Sequence, residues 1–307
     1  MAKKVLTPEQ QEIKKLKKDK RAKSRTSFLA VVVALALTAG SVILAKTTMS
    51  NPTQAAAGTE TAESTTEALK SEMIIGEDGT ITIIDDSDDS SGNGEGNKME
   101  LSANPAEWST AEIVAVYKNA ASKSHTVVES SQTYAMPKLV VNDGDGALGG
   151  FLKILTPAIK TVLEKNTTSY VGITGGFTKM EASDVNTAKA YKEGDYIVIE
   201  MVMNEQTDGV YGDAQGGPVG HAINVLGNVA TAVEQFPAFD IKYEEAEIKV
   251  HYINPVVKVK INKDGIIEKG LWSYESEIYI RDLSVNGIMI KKADAQIDYK
   301  ITAGGGF

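Results

Sequence analysis

The side chains able to carry catalysis or hold a metal are few and scattered. The chain has three histidines, His125, His221 and His251, and no cysteine. No two histidines fall at the i, i+4 spacing that sets a pair of ligands on one helical face, and no H-E-x-x-H occurs. Without thiols there are no disulfides, thiolate metal sites, cysteine nucleophiles or Cys-based lipid anchors. Neither G-x-S-x-G nor S-x-x-K is present, so the common local settings of an activated serine are missing. Acidic residues are abundant, but nothing singles out two of them as the paired carboxylates of a glycoside hydrolase. The expectation is a protein without catalytic residues, cofactor or metal. A carboxylate-based cell-wall hydrolase is the enzyme class left standing.

Two glycine-rich runs and one acidic run invite a binding reading. Gly144-Asp145-Gly146-Ala147-Leu148-Gly149 matches G-x-G-x-x-G, after Leu139–Val141 and before a predicted helix. Asp143 and Asp145 would repel a pyrophosphate, and the chain continues as antiparallel strands rather than βαβ units, so a loop before a helix is the better account. Gly216-Gly217-Pro218-Val219-Gly220-His221 stands at a second helix start, where exposed N–H groups can hold an anion or a ligand carboxylate. The plainer reading is a tight loop with Pro218 in the first turn. The run DDSDDSSGNGEGN after Ile84 fails as a calcium loop. Counting from Asp85, positions 6 and 12 are Ser90 and Gly96; from Asp86 they are Ser91 and Asn97.

The remaining candidates are apolar. Met201, Met203, Tyr252, Trp272, Tyr274 and Tyr299 fall on the inward-facing phase of predicted strands, and core packing is their default role. Small residues share those strand faces, at Ala246, Ser276, Ala293 and Ala295. A long curved sheet that mixes large and small side chains under amphipathic helices can leave an apolar pocket. These six are therefore the candidate ligand-binding residues. The outline is similar to that of extracytoplasmic lipoproteins that carry acyl chains, a likeness of fold with no shared motif.

The elements that must position these residues are well marked. Ser109-Thr110-Ala111-Glu112 is a capping box, and Trp108 and Ile113 sit at the hydrophobic-staple positions, predicting a helix to about Lys123. A strand is expected at 126–134. Leu148, Phe151, Leu152, Leu155, Ile159 and Val162 recur at helical spacing over 148–165, with a kink at Pro157. Tyr196–Asn204 is apolar on both faces and reads as a central strand covered on each side. A third helix is predicted over 219–235. Beyond it the alternation is clean. Ile248, Val250 and Tyr252 face one way and Lys249 and His251 the other; Val257, Val259 and Ile261 oppose Lys258 and Lys260. Trp272, Tyr274, Ile278 and Ile280 share a face, as do Ala293, Ala295, Ile297, Tyr299 and Ile301. Asp264-Gly265 and Asn286-Gly287 are hairpin turns. The fold class expected is α+β, a twisted antiparallel sheet with a C-terminal meander, covered on one face by about three helices.

Charge and hydropathy divide the chain. The net charge is −9, yet residues 1–27 carry ten Lys and Arg against three acidic residues, leaving the remainder strongly acidic. Such a domain would repel nucleic acid, whose binding needs clustered cations. Phe28–Ala45 is uncharged and about long enough to cross a bilayer at 1.5 Å per residue. The sequence thus predicts a basic cytoplasmic tail at 1–27 and a transmembrane signal anchor at 28–46. A flexible stalk at 47–100 follows, with a small hairpin at 72–84, and then an extracytoplasmic domain at 101–307. Secretion after signal cleavage is the alternative, with a small-residue site at Ala55-Ala56-Ala57. The expected function is a non-catalytic extracytoplasmic protein that binds an apolar small molecule or an envelope protein. An interaction protein with a fully packed core is the alternative.

Overall fold

The structure, a computed structural model, describes residues 71–76, 80–85, 97–125, 128–141, 168–171, 175–210, 216–223, 225, 240–244, 246–285 and 288–307. They form two antiparallel sheets. The smaller joins β1 (Ser71–Ile75), β2 (Ile81–Asp85) and β3 (Asn97–Leu101) in that order. The larger is built on three long strands, β10 (Glu247–Ile261), β11 (Ile267–Val285) and β12 (Ile288–Ala303). Beyond β12 lie β4 (Glu129–Val141) and then β5 (Thr168–Val171); beyond β10 lie β7 (Tyr196–Met203) and the edge strand β6 (Val185–Glu193). Two short strands, β8 (Gln206–Asp208) and β9 (Ile241–Lys242), pair with β10 and β11 off this path.

The architecture corrects the expectation of a sheet under about three helices. It is mostly antiparallel sheet, and among the described residues there are two α-helices, α1 (Thr110–Ser124) and the five-residue α2 (Pro218–Ala222). Of the helix predicted over 219–235, the described residues hold α2, which ends at Ala222; residues 226–235 lie outside the described residues. Ile223 is extended at φ −140°, ψ 146°, and Ile223 and Val225 are both buried at strand-like spacing. Gly220 and the β-branched Val219 and Ile223 give this segment little helical preference of its own, so burial decides its conformation. The helix predicted over 148–165 and the G-x-G-x-x-G run lie outside the described residues, as does the acidic run 86–96. So does the predicted anchor at 28–46. No helix of the described residues is long and apolar enough to cross a membrane, and the structure gives the anchor no support.

The long strands keep one apolar face inward by shifting phase where alternation would break. In β10 the inward residues are Ile248, Val250 and Tyr252, then Val257, Val259 and Ile261, a change from even to odd numbers. The change falls at a register shift between Ile253 and Val256, where Asn254 takes φ 51° ahead of Pro255. Proline cannot donate to the ladder and asparagine tolerates the left-handed region, so Asn-Pro is suited to a bulge. Likewise Asp282, at φ 54°, lies between inward Ile280 and Leu283. The expectation that Tyr196–Asn204 is covered on both sides fails at its end, where Val202 is exposed and Glu200 half-buried.

Helix α1 is the hub over one end of the sheet. Its start is built as the sequence requires. Ser109 Oγ accepts from Glu112 N at 3.4 Å, and Glu112 Oε2 accepts from Ser109 N at 2.6 Å. Trp108 Nε1 donates to Ser102 O at 2.8 Å. Buried residues cover a broad arc of the helix, including Ile113, Val114, Val116, Tyr117, Ala120 and Ala121, because it meets three neighbours. Toward the large sheet, Trp272 Nε1 donates to Tyr117 Oη at 2.8 Å and Ile267 N donates to Ser124 Oγ at 2.8 Å. Toward the small sheet, Lys123 Nζ donates to Met73 O at 3.0 Å, and Met73, Ile81, Ile83 and Leu101 belong to the same core as Tyr117. Toward the 3-10 turn Gly175–Lys179, Lys118 Nζ donates to Met180 O at 3.1 Å.

Gly270 is required by this arrangement. A Cβ there would overlap the six-membered ring of Trp272, so only glycine lets the indole lie along its own strand. Tyr117 is fully buried, and burial pushes its phenol well above the ordinary tyrosine range, against the opposing effect of its bond to Trp272. Replacing Tyr117 by phenylalanine keeps the shape and orphans the indole N–H. An unsatisfied buried donor costs about 1–3 kcal/mol. Urea denaturation of Tyr117→Phe should show that loss, and a double-mutant cycle with Trp272→Phe should recover part of it. Equal stability of Tyr117→Phe and wild type would remove the hydrogen bond from the account of α1 docking.

Candidate functional site

The six apolar candidates all lie on the inward face of the large sheet, each at most 2% exposed. Their registers bring four into neighbouring rows. Met201, Val257, Trp272 and Ile301 stand side by side across β7, β10, β11 and β12. Tyr274 and Tyr299, one inward step along, are cross-strand partners with rings stacked at 4.9 Å. Tyr252 meets Tyr274 edge-on at 5.1 Å, an arrangement favoured by the ring quadrupoles. Met203 ends β7, opposite Val185 at the sheet's edge. The candidates thus comprise a tyrosine cluster, a Trp–Met row beneath α1, and one peripheral methionine.

Past the tyrosines the inward side chains become small. Ser276 stands opposite Tyr252 and Ile297, and its hydroxyl donates to Ile297 O at 3.1 Å. The next rows place Ala295 beside Ile278 and Ala293 beside Ile280. On β12 the inward series runs Ile301, Tyr299, Ile297, Ala295, Ala293. Two successive positions at the centre of a long sheet therefore present only methyl groups. Ala246, also offered as a small residue of this face, is only partly buried and packs against the core's margin.

The histidines do not converge. His125 meets the Phe177 ring edge-on at 5.7 Å. His251 Nε2 lies 3.3 Å from Glu205 Oε2. His221 Nδ1 lies 2.9 Å from Asp184 Oδ2, which also accepts from Glu181 N at 2.8 Å. Among the described residues no group of three or more His, Asp or Glu side chains could hold a metal ion. Asp184 and His221 form a half-buried carboxylate–imidazole pair, 37 residues apart in sequence, which no local pattern announces.

The glycine-rich helix start is filled from within. Gln206 Oε1 accepts from Val219 N at 3.0 Å and Gly220 N at 3.2 Å, while its Nε2 donates to Asp208 Oδ1 at 2.9 Å. The place considered for an anion or ligand carboxylate is thus occupied by a carboxamide oxygen from β8. Sequence reasoning missed Gln206 because its partners lie thirteen and fourteen residues further along the chain.

The outward face carries the strongest electrostatic feature, centred on Glu200. It lies 2.7 Å from Lys189 Nζ and 3.0 Å from Lys258 Nζ, and accepts the Tyr191 hydroxyl at 2.9 Å. Partial burial raises its pKa, but hydrogen bonds from Lys189, Lys258 and Tyr191 together outweigh that and hold it at about 2. One signal for it was available, since Glu200 is the single charge inside YIVIEMVM. The role is structural, tying β6, β7 and β10 together.

Among known proteins, no family model, curated sequence or solved structure matches the chain. Among the described residues, fold and site together define the class: a long antiparallel sheet with one continuous apolar face, one capping helix of ordinary length, and no assembled catalytic group.

Glu200 sets a pH dependence. Its folded pKa, about 2, lies below the ordinary 4.5, so its stabilisation is fully present above about pH 4.5. The contribution is then lost as pH falls toward 2. Discounted for solvent screening, it is on the order of 1–3 kcal/mol. Glu200→Gln should lose that amount at pH 7 and flatten the acid limb of stability between pH 4.5 and 2. Parallel acid limbs in chemical denaturation would assign the pH dependence to other carboxylates.

Proposed function

We propose that the protein is a non-catalytic binding domain that holds an apolar small molecule against the methyl-lined part of its inward sheet face. The observation that carries this reading is the step from Tyr299 and Ile297 to Ala295 and Ala293 on the central strand β12. The stacked Tyr274 and Tyr299, with Tyr252 against them, form a rigid wall where the large side chains begin. Flanking Ile248, Val250, Ile278 and Ile280 supply apolar sides. Such a surface suits a hydrocarbon and offers little to a polar substrate, since burying unpaired polar groups is costly. Placement outside the cytoplasm is part of the proposal and rests on sequence, namely ten cations ahead of the uncharged run Phe28–Ala45.

A second reading, an interaction protein with a filled core, draws on one observation. Ile74 and Met99, on the two edge strands of the small sheet, are 46% and 40% exposed. Exposed apolar side chains on edge strands are what a protein partner recognises.

Native mass spectrometry of the full-length protein separates the two, with Ala295→Phe as the paired variant. The ligand reading expects a mass excess that disappears on denaturation, and loss of that excess in a variant that stays folded. A bare mass, together with a loss of about 1–3 kcal/mol in the variant from overpacking, would replace it with the filled-core reading.

A further inference from the structure

The two outer strands of the small sheet are not equivalent. β1 is tied to the body of the fold. Lys123 Nζ of α1 donates to Met73 O at 3.0 Å, and a Cβ on Gly265, in the β10–β11 turn, would overlap Met73 Cε. β3 is held on one side only. It pairs with β2 along all of Asn97–Leu101 without a register shift, and no described strand pairs with its other side. β3 also lacks the proline or bulge that commonly keeps an edge strand from pairing.

The apolar row of this sheet runs out to that open edge. Met73, Ile83 and Met99 are successive cross-strand partners. Met73 and Ile83 are 3% and 4% exposed, whereas Met99 is 40% exposed. Another strand laid beside β3 would cover what the fold leaves bare. Lys98 and Glu100 flank Met99 on the opposite face of the strand, both exposed, with Nζ 2.9 Å from Oε1.

The order Lys98-Met99-Glu100 is complementary to itself. Laid antiparallel to a copy of itself about Met99, the strand sets methionine opposite methionine, Lys98 opposite Glu100 and Glu100 opposite Lys98. Each charge then faces its opposite. The same operation on β1 about Met73 would set Glu72 against Ile74, so that edge offers no such match.

We infer that β3 is the contact of a two-fold dimer, in which two copies of this chain join their small sheets into one six-stranded antiparallel sheet. The apolar row then continues from Met99 into the same three residues of the second copy. The charges fix the register, since exposed pairs of this kind contribute little affinity and like charges placed opposite are unfavourable. α1 and the β10–β11 turn grip the sheet from the far edge, at β1. The dimer gives the exposed edge of the second reading above a partner, and it is independent of any ligand on the inward face of the large sheet.

Sedimentation velocity of the full-length protein over a concentration series tests the dimer with a readout separate from ligand mass. A five-residue edge buries less than the roughly 1,200–2,000 Å² of a standard interface, so a reversible monomer–dimer equilibrium is expected. Lys98→Glu and Glu100→Lys, both at exposed positions, each set like charges opposite and should weaken self-association about tenfold. The two single variants, mixed, should form a heterodimer, and the double variant Lys98→Glu/Glu100→Lys should regain wild-type affinity. The chain has no cysteine, so Met99→Cys introduces its one thiol, which should cross-link across the axis under mild oxidation. Directly opposed Cα atoms of antiparallel strands lie within disulfide range. Ile74→Cys, equally exposed, should not cross-link. A monomer at every concentration, a dimer that the single charge variants leave unweakened, no heterodimer on mixing them, or equal cross-linking at positions 74 and 99 would each overturn the assignment.

Discussion

An antiparallel sheet with strands of 15, 19 and 16 residues at its centre must cover an apolar face far longer than one helix. At about 3.3 Å per residue β11 is roughly 60 Å long, whereas a 15-residue α-helix spans about 22 Å. α1 therefore governs one end only, and it does so through polar ties as much as apolar contact. The Trp272–Tyr117 bond and the Ile267–Ser124 bond fix the helix on the sheet, and Lys123 and Lys118 reach backbone carbonyls of the segments on its flanks. Each tie satisfies a group that burial would otherwise penalise. The tie from Lys123 makes β1 a direct neighbour of α1, so strands separated from the helix by an acidic run share its core.

The same constraint explains the bulges. A strand of fifteen or more residues accumulates twist, and a strict two-residue period would carry its side chains off the inward face. Asn254-Pro255 and Asp282 reset the phase at points where the neighbouring strands can follow. Curvature made this way lets the face stay buried from Ile261 to Ile248 on β10 and from Ile267 to Leu283 on β11. The outward face needs no such continuity. There, charge networks such as Glu200 with Lys189 and Lys258 hold strands laterally, where water screens their cost.

What sequence made legible follows from range. Alternation in the C-terminal meander is a local signal, as is the capping box at Ser109, and both correspond to elements seen in the structure. The Asp264-Gly265 turn closes on Asn262, whose carboxamide oxygen accepts from Asp264 N and Ile266 N at 3.0 Å each. The helix predicted over 219–235 is broken at Ile223, where apolar spacing suited both a helix and an extended residue, and residues 226–235 lie outside the described residues. At Ile223, β-branched and fully buried, the extended backbone prevailed. The anion site at Gly216–His221 failed for a different reason. An N–H cluster at a helix start attracts whatever oxygen the fold delivers, and here Gln206 arrives from β8. Contacts of that kind, like Asp184 with His221, depend on topology and leave no trace in spacing.

The inward face also sets a limit on how the alanines at 293 and 295 can be understood. Each sits between a β-branched neighbour on β11 and strand β4, and each is buried. A buried methylene contributes about 0.8 kcal/mol, so two alanines bury several kcal/mol less than two leucines would in a site with room for them. Elsewhere on the same strand the sequence takes that stabilisation, with Ile297, Tyr299 and Ile301 all fully buried. A stretch of methyl groups between Ile297 and Ile290 is therefore a local departure from the strand's own pattern. Departures that weaken a core without easing backbone strain are expected where another molecule supplies the missing contacts. That is the physical ground on which the inward face, rather than the scattered histidines and carboxylates, bears the proposed function.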